Sequence, residues 1–155
     1  MSLVLAWAVG IGVVAGLRSL IAPAAVAWAA HLGWLHLQGT ALGFMGSKVA
    51  LIIFSLLAIG ELIGDKLPKT PRRTAVAPLI ARMITGGLCG ACIFVSSSQS
   101  LAIGAVPGAI GAVLGAFAGY EIRKRLVTQL KVPDLFIALP EDLIAISLAL
   151  FLVSR

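Results

Sequence analysis

The chain has 155 residues, of which 60% are hydrophobic and only 12% charged; ordinary globular domains carry about 45–50% apolar and about 25% charged residues. So few charges cannot give so apolar a chain a water-soluble shell, which excludes a soluble enzyme, a disordered tail and a secreted disulfide scaffold. The fold class that remains is all-α, a polytopic transmembrane helix bundle of about five spans in a single domain over 1–155.

A spanning helix needs about 20 mostly apolar residues. The first apolar stretch, roughly 3–35, is too long for one straight span and is interrupted at Gly16-Leu17-Arg18-Ser19. It reads as one broken span or as a re-entrant hairpin. No basic segment precedes the apolar run, so a retained helix is expected rather than a signal peptide. Arg18 lies about 22 Å along a helix that starts at Leu3, at 1.5 Å per residue. An arginine at the membrane centre costs about 2.5–3.5 kcal/mol on the gentler insertion scale. Gly16 and Pro23 flank it, which predicts a broken helix. Freed backbone groups at that depth must face protein or a wet cavity.

The second span, 46–64, carries Glu61 near its end, with Asp65 just beyond. The third, 76–95, carries Arg82 about one turn in, and Cys89-Gly-Ala-Cys92, read as small packing residues one turn apart. The fourth, 101–122, holds two stripes of small residues. Gly104 and Gly108 continue into Ala112 and Ala116; Gly111, Gly115 and Gly119 make the second stripe. Lipid offers no hydrophobic drive to helix pairing, so such stripes mark close backbone packing. Two of them predict a helix crowded on two sides, central in the bundle or at an interface between copies. The last span, 135–153, is interrupted by Pro140-Glu141-Asp142. Proline suits a first helical position and acids suit a first turn, which predicts a short, acid-capped last helix starting at Pro140.

The net charge of +6 is concentrated: twelve of the eighteen charged residues fall within 61–73 and 121–134. Each window has four cations and two anions, and both read as cytoplasmic loops under the positive-inside rule. A bacterial inner membrane location is expected, with the N-terminus cytoplasmic and the C-terminus outside; nucleic acid is not an expected partner. Lys66, Lys69, Arg72 and Arg73 are candidates for contact with lipid headgroups or phosphate.

The ionisable groups at membrane depth are the functional candidates. Arg18, Ser19, Glu61, Arg82, Glu141 and Asp142 are expected to form a polar cluster on the cytoplasmic side, with Asp65 at its mouth. The sequence carries no catalytic constellation, metal-ligand spacing or cofactor motif, so no enzyme activity is expected. Membrane lipids and a second copy of the chain, as a homodimer, are the expected partners.

The segments Gly16-Leu17-Arg18-Ser19 through Ala22-Pro23-Ala24, Glu61 through Pro68, and Leu139-Pro140-Glu141-Asp142 resemble a bacterial membrane-protein family (domain of unknown function 4126). The resemblance covers nearly the whole chain. It implies an integral membrane protein and carries no substrate, reaction or catalytic residue. The leading functional expectation is a transporter or channel for a small, anionic solute. The alternatives are a protein that binds or moves a lipid or polyprenyl phosphate, and an accessory subunit of a membrane complex.

Overall fold

Backbone-to-backbone packing at glycine sets the arrangement of the helices. A computed structural model describes residues 2–67 and 74–154. Among the described residues six α-helices follow one another: α1 (Ser2–Leu17), α2 (Ile21–His31), α3 (Lys48–Gly64), α4 (Val76–Ser96), α5 (Leu101–Leu130) and α6 (Asp134–Val153). A short 3-10 turn at Gly43–Gly46 precedes α3. The described residues form no strand. The protein is an all-helical membrane bundle. Three helices, α4, α5 and α6, are each long and apolar enough to cross a membrane alone. Leu56, Ile59, Ile84, Val106, Leu114 and Leu143 are all more than half exposed, as side chains facing lipid would be.

Helix α5 is the hub. Its Gly104–Gly108 stripe meets α4: a Cβ on Gly90 would lie 2.5 Å from the Gly104 carbonyl oxygen, and one on Gly86 would lie 2.7 Å from that of Gly108. The Gly111–Gly115 stripe meets α1, where a Cβ on either glycine would overlap the carbonyls of Val9 or Val13. Both distances and overlaps are closer than any side chain tolerates. Both stripes are therefore occupied within the chain and present no face to a second copy. Gly119, the last of the second stripe, is also buried. Helix α6 lies on α1 and α2, and α3 rests mainly on α2.

The contacts also fix direction. Val9 meets Gly111 and Val13 meets Gly115, so α1 runs parallel to α5. Gly86 meets Gly108 and Gly90 meets Gly104, so α4 runs antiparallel to both. After Arg18 the chain turns back. The amide of His36 donates to Ser96 Oγ at the far end of α4 (3.0 Å), and the Trp28 indole donates to Ser55 Oγ of α3 (3.1 Å). Residues 3–35 thus form a helical hairpin with its tip at Arg18-Ser19-Leu20, and do not cross once. Helix α1 begins at the end of the bundle where α6 finishes, since Gly10 lies against Leu152. The Gly12 and Gly16 contacts with α5 hold α1 in this direction.

Helix α6 differs from its sequence expectation at its start. It begins at Asp134, six residues before Pro140, and passes through that proline. Asp134 is the acid in its first turn, while Glu141 and Asp142 stand a further two turns along. Pro140 removes one intrahelical donor without ending the helix, because flanking apolar residues carry the helix on both sides.

Candidate functional site

The hairpin tip is a gap of three residues between two helix ends, and each end has a charged partner. Helix α1 ends at Leu17, leaving carbonyls that carry the negative end of its dipole. Arg82 of α4 reaches them, donating from one terminal nitrogen to Gly16 O (2.6 Å) and Ala15 O (3.5 Å). The amides entering α2 carry the opposite polarity, and Glu61 of α3 accepts from them. One carboxylate oxygen takes the Ser19 amide (2.7 Å) and the Ser19 hydroxyl (2.6 Å); the other takes the Leu20 amide (2.8 Å). Glu61 and Arg82 then face each other at 3.8 Å. Pro23 sits in the first turn of α2, where its missing N–H costs no helix bond.

Arg18 projects from this turn and is completely buried. Its guanidinium forms ion pairs with Asp65, just past the end of α3, and with Asp142 of α6. Lys66 adds a second cation to Asp142 at 3.4 Å. The tip therefore draws together side chains from the hairpin, α3, α4 and α6. Among the described residues the group comprises Arg18, Lys66 and Arg82 against Glu61, Asp65 and Asp142, three charges of each sign. Breaking one partner out of such a buried group costs about 3–5 kcal/mol, because the remaining charge is stranded.

Glu141, also expected in this cluster, reaches an arginine of α5. It pairs with Arg123 of α5 at 3.4 Å, and Arg123 also donates from Nε to Asp134 Oδ1 at 2.7 Å. Two consecutive acids of α6 thus hold arginines from different elements. They are about 100° apart around the helix, so Asp142 turns to the hairpin and Glu141 to α5. Of the headgroup candidates, Lys66 belongs to the cluster, whereas Lys69, Arg72 and Arg73 lie outside the described residues.

Arg123 is the residue that sequence reasoning missed, having been counted only as loop charge. Its signal was periodic: Gly119, Ile122, Arg123 and Leu126 share one helix face. That face lines an apolar groove of about 360 Å³ between α5 and α6, completed by Leu17, Ile137, Pro140, Glu141 and Ile144.

Cys89 and Cys92 are both buried and free. The described residues contain no group of three or more side chains able to hold a metal. His31, whose ring nitrogen lies 2.9 Å from Gly46 O, and His36 are at the end of the bundle opposite the ion pairs.

A family model described as a domain of unknown function (DUF4126) matches residues 5–154. The chain belongs to this family. No curated protein and no solved structure matches it. The segments that carry the DUF4126 resemblance are largely the ones that build the hairpin tip: Arg18 and Ser19 in the turn, Glu61 and Asp65 on one side, and Asp142 on the other.

Proposed function

We propose that the protein is a transporter for a small anion, which binds to Arg18 at the hairpin tip and moves together with a proton carried by Asp65 or Asp142. The observation that carries this reading is a fully buried arginine at a non-helical turn, held by carboxylates from two separate helical segments. Ionisable groups inside a membrane bundle are costly and commonly mark solute or proton pathways. Broken helices supply the irregular backbone that such sites use.

Glu61 and Arg82 have a sufficient structural role as partners of the two helix ends. That leaves Arg18, Asp65, Lys66 and Asp142 as the exchangeable part. With both carboxylates ionised, the guanidinium is occupied. When one carboxylate takes a proton its hold on Arg18 weakens, and the guanidinium gains donors for a bidentate anion. Anion and proton would then enter and leave together, keeping the buried charge balanced. By the positive-inside rule the end bearing Lys66, Arg123, Lys124 and Arg125 is cytoplasmic in a bacterial inner membrane, and the start of α1 and the end of α6 are outside.

The test is flux into proteoliposomes loaded with a pH-sensitive dye, with inorganic phosphate, chloride and short carboxylates offered in turn under an imposed pH gradient. One of these anions should drive proton movement in wild type, and Arg18→Gln should abolish it while the protein remains folded and monodisperse. Equal flux in wild type and Arg18→Gln would overturn the assignment.

A further inference from the structure

The packed part of α5 ends at Gly119, and the packed part of α6 begins just beyond Pro140. Among the described residues from Tyr120 to Pro140, Ala138 alone is buried. Before that stretch, α5 buries Gly104, Gly108, Ala112 and Ala116 among α1 and α4. After it, α6 buries Asp142, Ala145 and Ala149 and lies on α1 and α2. A segment with few buried apolar contacts opens locally at a small cost in free energy. Helices α5 and α6 touch only lightly, and Gly119 and Pro140 both line the groove between them. Glycine leaves the backbone its widest freedom, and Pro140 lacks the N–H that would bond back to the carbonyl of Phe136. Each helix is therefore pliable at the point where its packing stops.

Beyond that boundary the two helix ends are tied to each other. Lys131 closes α5 in the left-handed region (φ 51°) with its N–H on Val127 O at 3.1 Å, and Pro133 leads straight into Asp134. Arg123 grips Asp134 with two nitrogens, Nε donating to Oδ1 at 2.7 Å and a terminal nitrogen to Oδ2. Such a fork fixes geometry as well as charge. The other terminal nitrogen reaches Glu141 at 3.4 Å, on the packed side of Pro140. One guanidinium thus binds within the loose hairpin and across its hinge. Glu141 immediately precedes Asp142, and Leu17, which also lines the groove, immediately precedes Arg18. The groove is therefore bounded by the neighbours of both partners in the buried Arg18–Asp142 pair.

We infer that residues 120–139 move as one hinged hairpin on Gly119 and Pro140, and that the Arg123–Glu141 ion pair latches it to the rest of the bundle beside Arg18 and Asp142. The motion belongs to α5 and α6 and does not rest on the transport reading, so flux has no part in its test.

The test is double electron–electron resonance on the full chain in nanodiscs, with spin labels at Gln129→Cys on the hairpin and Ile63→Cys on the exposed side of α3. Cys89 and Cys92 are buried and stay unlabelled. Wild type should give one narrow distance distribution with a minor second population. Glu141→Gln weakens the latch and leaves Arg123 on Asp134; it should enlarge the second population about fivefold, the weight of one partly exposed ion pair. Adding Pro140→Ala restores the missing helix bond and should bring the narrow distribution back. A control pair, Ile63→Cys with Leu150→Cys on the packed part of α6, should stay constant in all three proteins. An unchanged Gln129–Ile63 distribution in Glu141→Gln, a second population that persists after Pro140→Ala, or an equal change in the control pair would overturn the inference.

Discussion

Glu61 and Arg82 stand 3.8 Å apart across the turn between α1 and α2, each on the helix end whose dipole it opposes. Glu61 accepts from the Ser19 and Leu20 amides entering α2, and Arg82 donates to the last carbonyls of α1. A turn in low dielectric would otherwise leave these groups unsatisfied, each at a cost of several kcal/mol. The pair thus explains how the chain reverses within an apolar bundle and leaves Arg18 free to project toward α3 and α6.

Removing the acid should loosen the hairpin. We expect Glu61→Ala to lower stability by about 3 kcal/mol or more, through loss of charge-assisted hydrogen bonds and stranding of buried charge. Glu61→Gln, which retains an acceptor for one amide, should lose less. Unfolding by sodium dodecyl sulfate in mixed micelles measures both variants. Wild-type stability for Glu61→Ala would show that the turn holds without this carboxylate.

Arg18 and Asp142 should be energetically coupled. Arg18→Gln and Asp142→Asn each leave a buried charge with a weakened counter-charge, whereas the double variant removes both. The double variant should therefore be more stable than the sum of the single losses by about 1–3 kcal/mol. The same unfolding assay closes the cycle. Additive losses would mean that Asp65 and Lys66 alone balance the two groups.

Glycine should be required at the α4–α5 contact and dispensable on α3. A Cβ at position 108 would collide with the Gly86 carbonyl, so Gly108→Val should abolish monodisperse protein in size-exclusion chromatography. No atom lies within 4 Å of the corresponding point on Gly60. There, Gly60→Ala should stabilise the helix by about 0.5–1 kcal/mol through backbone propensity. Reversal of this order would place the tight helix contact elsewhere.

The hairpin makes a sidedness prediction that a single first span does not. Leu3→Cys and Ser100→Cys should react with an impermeant thiol reagent from one face of the membrane, and Lys124→Cys from the other. Cys89 and Cys92 are buried and should remain silent. Labelling of Leu3→Cys and Lys124→Cys from the same face would contradict the parallel packing of α1 on α5.

Much of this arrangement was legible because membrane insertion penalises charge so heavily. Arg18, Glu61, Arg82 and Asp142 stood out from the sequence by burial cost, with Asp65 beside them at the end of its span, and they converge on one turn. The two small-residue stripes of α5 likewise read directly, because only close backbone packing accounts for them. Direction was not legible. The stretch 3–35 has enough residues for either a crossing or a hairpin, and the choice rests on Gly12 and Gly16 meeting α5 far along the chain. Nor did local rules place Glu141, which pairs with Arg123 on a helix that starts at Asp134 and runs through Pro140.

The most direct test of the hairpin tip as a hydrated anion site is the reactivity of a cysteine placed at Ser19. Ser19 is partly exposed at the turn, and its hydroxyl contributes one of the hydrogen bonds to Glu61. Ser19→Cys should be modified by charged methanethiosulfonate reagents added from the Lys124 side, faster by an anionic reagent than by a cationic one. The anion that drives flux should protect it. No modification from that side, or modification only from the side of Ser100, would contradict the account.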